Sequence, residues 1–94
     1  MIFRFNSEKN AKLIEERKVS FEEIIEAIIN GKILFNERHP NQKKYPNQEI
    51  FYVEIRDEVY SIPYIVESDE IIFLKTAFPN RKARKKLLNK KPRS

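Results

Sequence analysis

Val19-Ser20-Phe21-Glu22-Glu23-Ile24-Ile25-Glu26-Ala27-Ile28-Ile29-Asn30-Gly31 is the stretch from which the rest of the chain can be read. Ser20 followed three residues later by Glu23 is a capping box, in which each side chain answers a backbone N–H that the first helical turn leaves without a partner. Phe21, Ile24, Ile25, Ile28 and Ile29 then recur as one face of an α-helix requires. Gly31 ends the pattern, because a helix closes best on a residue that takes positive φ without steric cost. An amphipathic helix of this kind must bury its apolar stripe, so the flanking sequence has to supply a surface for it.

That surface reads as a sheet. Ile2–Phe5 alternates apolar and polar residues like a short edge strand. Asn6 or Ser7 can cap a first helix running through Ala11, Leu13 and Ile14 towards Arg17. Beyond Gly31, Ile33–Phe35 is a short strand, and Asn36 to Gln48, with its prolines and asparagines, is an exposed, mobile loop. Three strands follow: Ile50–Arg56, a turn at Asp57-Glu58, Val59–Val66, and then Ile71–Phe78 after Ser68-Asp69-Glu70. Such short connections predict an antiparallel meander. Pro63 cannot donate to a ladder and marks a bulge or an unpaired stretch. Pro79-Asn80 breaks the last strand, and Asn80 caps a basic helix over Arg81–Asn89. The expected fold is α+β, in the order β-α-α-β-β-β-β-α, with helices packed on a twisted antiparallel sheet. Its 94 residues make one domain, 1–94, with 89–94 as a frayed basic tail.

Composition narrows the function. No Cys occurs and His39 is the single His, which excludes thiol chemistry, Cys-based zinc sites and His-rich metal sites. No metal or other cofactor is expected. The N-terminus passes into charged sequence without a sustained apolar run, so the expected location is the cytosol, with no membrane partner. The net charge of +5 is unevenly spread: residues 71–94 hold nine basic side chains and no acidic one, whereas the first 70 residues sum to −4. A block of one sign calls for a partner of the other, and nucleic acid is the leading candidate.

Phe3-Arg4-Phe5-Asn6-Ser7-Glu8-Lys9-Asn10 together with Val19-Ser20-Phe21-Glu22-Glu23 resembles the opening of BrnT-type toxins. Phe73-Leu74-Lys75-Thr76-Ala77-Phe78, leading to Arg81-Lys82 and Arg84-Lys85, is similar to that family's last strand and basic helix. The resemblance implies a RelE-like fold, RNA cleavage without a metal, and a cognate antitoxin of the ribbon-helix-helix type that also binds DNA. RNA, free or on the ribosome, is then the target. The family usually has Lys-His-Gly where this chain has Glu16-Arg17-Lys18, and Ser-Ala-Arg where it has Thr76-Ala77-Phe78. Arg17 is the candidate to stand in for one missing cation, and Arg81 or Lys82 for the other.

Metal-free RNA cleavage needs a base for the 2′-OH, cations for the phosphorane and an acid for the 5′-oxygen. Lys75, Arg81 and Lys82 are the expected phosphate-handling residues, with Arg17, Arg84, Lys85 and Lys86 binding RNA around them. Tyr64, beside Pro63, is the candidate for base stacking or proton relay, against the ordinary role of a strand tyrosine as a packing residue. His39 is a nominal general base inside the loop, where a solvated histidine is the commoner outcome. The alternative to a toxin is a RelE-like binding module that holds a partner protein or nucleic acid without cleaving it.

Overall fold

The predicted capping at Ser20 forms, but only by half. In the computed structural model, which describes residues 1–88, the Glu23 N–H donates to Ser20 Oγ at 3.0 Å. The Glu23 carboxylate does not return to Ser20; it pairs instead with Arg56. At the other end the Gly31 N–H donates to the Ile28 carbonyl and the Lys32 N–H to the Ala27 carbonyl, with Gly31 at φ +79°. This Schellman closure satisfies two carbonyls the helix would otherwise strand. A further lock comes from buried Asn10, whose Oδ1 accepts the Phe21 N–H at 2.6 Å while its Nδ2 donates to Glu22 at 2.8 Å. One side chain of the first helix thereby holds the start of the second.

The elements are β1 (Ile2–Phe5), α1 (Ser7–Arg17), α2 (Phe21–Ile29), β2 (Ile33–Arg38), β3 (Gln48–Ile55), β4 (Glu58–Ser68), β5 (Ile71–Leu74), β6 (Phe78–Pro79) and α3 (Arg81–Leu88). The fold is α+β, with the sheet order β1-β5-β4-β3-β2 and β6 on β4. The sheet is mixed rather than wholly antiparallel, because β1 runs parallel to β5. A parallel neighbour needs a crossover, and everything between the two strands provides it. The β3–β4 hairpin turns on Arg56 and Asp57, both at positive φ, one residue earlier than expected; this backbone matches the twist of the flanking strands.

The expected last strand, Ile71–Phe78, is broken. Its first part pairs with β4 as far as Leu74 opposite Tyr64, and pairing resumes at Phe78 opposite Ser61. Pro63 lies in the gap. Its carbonyl accepts the Lys75 N–H at 2.8 Å, so its backbone nitrogen, which has no hydrogen, points to the same side. The ladder cannot continue past it, and residues 75–77 leave the sheet. No bulge forms towards β3, where the register is continuous.

Strand alternation sorts the side chains onto two faces. Phe51, Val53 and Ile55 of β3 share one face with Tyr60, Ile62 and Tyr64 of β4 and with Ile72 and Leu74 of β5. Leu13, Val19, Phe21 and Ile24 close over it, and the Phe21 ring stacks on Phe5 at 5.0 Å. Each fully buried Phe or Ile here contributes about 1.5–3 kcal/mol. The opposite face carries Ile50, Tyr52, Val59, Ser61 and Phe73, and α3 covers part of it. Asn80 caps α3 by accepting the Ala83 N–H at 2.8 Å and donates to Ser61 Oγ at 2.9 Å. Arg84 fastens the helix to the β3–β4 turn, through Nε to the Asp57 carbonyl and Nη2 to its carboxylate. The predicted end of this helix at Asn89 and the tail 89–94 lie outside the described residues.

Residues 39–47 are tied down rather than loose. Gln42 Nε2 donates to the carbonyls of His39 and Gln48, the Asn41 N–H donates to His39 Nδ1, and Asn41 Oδ1 accepts from Lys44.

Candidate nucleic-acid interface

Because 75–77 leave the sheet where the ladder fails, a groove of about 760 Å³ opens between them, α1 and the 39–47 loop. Lys9 and Lys12 enter it from α1, His39 and Tyr45 from the loop, and Phe73 and Lys75 from β5 and its end. Lys75 is exposed, with Nζ 5.5 Å from the Phe73 ring centroid, so its stem lies along the sheet while its charge stays in water. Alternation along an unbroken strand Ile71–Phe78 would put Lys75 on one face with Phe73 and Ala77; the strand stops at Leu74, and Ala77 is buried in the core. The His39 ring lies 4.4 Å from that of Tyr45. With Nδ1 accepting from Asn41 at 3.0 Å, the proton of the neutral imidazole belongs on Nε2.

A smaller recess continues the groove along α1 past Lys9 and Lys12 to Arg17, with Thr76 opposite. Four cations, Lys9, Lys12, Arg17 and Lys75, therefore border one strip, and among the described residues none is in an ion pair. Glu8 and Glu16 border it too, so its walls are not uniformly positive. Nothing in the local sequence pattern marks Lys9, Lys12 and Glu8 as site residues.

The basic C-terminal cluster does not stay together. Arg84 is occupied by Asp57. Arg81 and Lys85 are exposed on α3. Lys82 and Lys86 border a separate pocket of about 290 Å³ whose other wall is Phe35, Glu37 and Tyr52. This pocket adjoins the groove, since Glu37 of the one is the cross-strand partner of Ile50 of the other. The cations thus form two groups, one bordering the groove and the other the pocket beside it.

Tyr64 joins neither group. It is 3% exposed, its ring stacks on Phe51 at 3.9 Å, and its hydroxyl meets Asn36 at 2.8 Å and Glu49 at 3.0 Å. Burial, reinforced by Glu49, pushes the phenol up to about 12. No ring face is left for a base, so the packing role prevails over the expected stacking or relay role.

Among the described residues no helix is long and apolar enough to cross a membrane. The fold and surface define a small α+β domain with a cation-bordered groove along one side of a mixed sheet. The family model described as "Domain of unknown function (DUF4258)" matches residues 11–79, and the chain belongs to that family. The matched span begins within α1, after Glu8 and Lys9 of the groove, takes in α2 and β2 to β6, and stops before α3. No curated protein and no solved structure matches the chain.

Proposed function

We propose that this chain is the RNA-cleaving toxin of a bacterial toxin–antitoxin pair, similar to the BrnT type, acting in the cytoplasm without a metal. The observation that carries the reading is the meeting of Lys75 with His39, Lys9 and Lys12 in one groove. Lys75, Lys9 and Lys12 are the cations for a phosphate and for the charge that grows on it during attack by the 2′-oxygen. Glu8, the carboxylate of the same groove, is assigned the 2′-OH proton; the departing 5′-oxygen accepts a hydrogen bond from His39 Nε2–H and takes its proton from water. Tyr45 and Phe73 offer rings for flanking bases. A ribbon-helix-helix antitoxin would silence the toxin by covering this side of the sheet.

Expression of the chain alone in a bacterium is the test. Wild type should arrest growth and deplete intact mRNA, and the Lys12→Ala, Lys75→Ala double variant should do neither. Harmless accumulation of folded wild type would refute the toxin. A non-catalytic binding module is favoured by one finding: Arg84 and Tyr64, both expected at the site, are engaged within the fold. Retention of RNA without new fragments would establish that reading instead.

A further inference from the structure

The pocket beside the groove holds a combination that the cleavage chemistry does not use. Phe35 is 50% exposed although Tyr52 of β3 and Ala83 and Leu87 of α3 beside it are partly covered, so an aromatic face is left open to solvent. Its centroid is 6.0 Å from that of Tyr52, tilted by 35°, so Tyr52 forms a side wall and does not cover it. The Tyr52 hydroxyl donates to Glu37 Oε2 at 2.6 Å. Burial and the Glu37 carboxylate push that phenol up to about 12, so it remains a donor and keeps the carboxylate oriented. A carboxylate has about four acceptor positions, of which Tyr52 takes one. Lys82 and Lys86, successive on one side of α3, stand across the opening. A cavity of about 290 Å³ is at the small end of ligand pockets and suits one nucleobase.

We infer that this pocket takes a guanine base of the RNA substrate, stacked on Phe35 and read by Glu37, with Lys82 and Lys86 on the adjoining phosphates. The inference rests on the RNA reading above and adds its specificity. An ionised carboxylate only accepts hydrogen bonds, so it selects an edge that presents adjacent donors. Guanine offers N1–H beside its N2 amino group. Adenine and cytosine each set an acceptor nitrogen next to their amino group, and uracil flanks its one N–H with carbonyls; each turns at least one lone pair towards the carboxylate. Stacking on Phe35 is indifferent to base identity and contributes affinity rather than choice. Glu37, Ile50 and Pro63 are successive cross-strand partners and the Pro63 carbonyl accepts from Lys75, so Lys75 lies three strands from Glu37, about 14 Å away. A base in the pocket therefore leaves a phosphate further along the RNA strand, not its own, to reach Lys75, and cleavage close to a guanine is the consequence.

Titration of the full chain with the four ribonucleoside monophosphates, followed by NMR, tests this without requiring cleavage. The guanosine nucleotide should bind about tenfold tighter than the other three, the discrimination of one well-formed pair of base hydrogen bonds. Glu37→Gln keeps an acceptor for Tyr52 but turns amide hydrogens towards the base, and should erase the preference. Phe35→Ala, at an exposed position, should weaken all four alike. Equal binding of the four that is insensitive to Glu37→Gln would show that only phosphate is recognised and overturn the inference. Failure of all four to bind would overturn it too, and would point to an acidic peptide as the occupant. Guanosine-selective binding by a chain that cuts no RNA would uphold the pocket and refute the ribonuclease.

Discussion

The two faces of the sheet are built from the same strands and treat their polar groups in opposite ways. On the face under α1 and α2, whatever is polar and buried is committed: Asn10 holds Phe21 and Glu22, and the Tyr64 hydroxyl is bound to Asn36 and Glu49. Among the described residues no buried side-chain nitrogen or oxygen lacks a partner. On the other face α3 covers only part of the sheet, and beside it lysines, two carboxylates and a histidine line recesses open to water. The first face is what a chain of this size needs in order to fold. The second leaves its lysines open to water, and among the described residues none of them is in an ion pair.

The largest effect should fall on the closed face. Phe21→Ala removes a fully buried ring that packs on Phe5, and should cost about 3–5 kcal/mol in urea unfolding. Most of the stability of a small domain would go with it, and any activity would be lost together with the fold. Lys75→Ala should do the reverse. Its side chain is exposed, so the unfolding midpoint should hold while RNA cleavage falls about 10²-fold, the usual loss for one group that stabilises transition-state charge. A Lys75→Ala protein that melts early would erase the distinction between the faces. Between these lies Asn80→Ala, which uncaps α3 and removes the partner of buried Ser61; about 1 kcal/mol should be lost by the same unfolding measurement.

Titration sharpens the contrast further. Tyr52 and Tyr64 are both pushed up to about 12 from an ordinary 10.0, chiefly by burial, so the fold favours their protonated forms. That contribution is complete below pH 10 and is lost as pH rises through about 12, and Tyr52→Phe with Tyr64→Phe should flatten the alkaline limb of stability. The smallest effect is at acid pH. Asn10 holds the Glu22 carboxyl below its ordinary value, so its contribution is present above 4.5 and fades as pH falls below it. Glu22→Gln should remove only that dependence in an acid unfolding series.

Much of this fold could be read in advance because its signals are local. Ser20, Gly31 and Asn80 do what their types do best, and the apolar spacing of α2 admits one periodicity. Asn10 and the Val19–Glu23 segment build the junction between α1 and α2, and the latter carries the most specific part of the BrnT resemblance. Their pattern therefore speaks for architecture rather than chemistry. The site was harder to read because it is assembled across long sequence separations. Lys9 and Lys12 meet Lys75 only because β1 lies parallel to β5, a pairing that no local pattern announces. By sequence His39 reads as a solvated loop residue, because the hydrogen bonds of Asn41 and Gln42 that tie the loop down have no periodic signature. Charge counting found an excess at the C-terminus, yet could not foresee that Asp57 would claim Arg84 while Lys82 and Lys86 turned to a different pocket.

Incubation of the purified chain with single-stranded RNA in EDTA, with end analysis of the products, tests the central claim most directly. Attack by the 2′-oxygen at the groove predicts fragments ending in 2′,3′-cyclic phosphate, formed by wild type and nearly absent with Lys75→Ala. RNA that stays whole with wild type, or is cut equally by both proteins, would contradict the account.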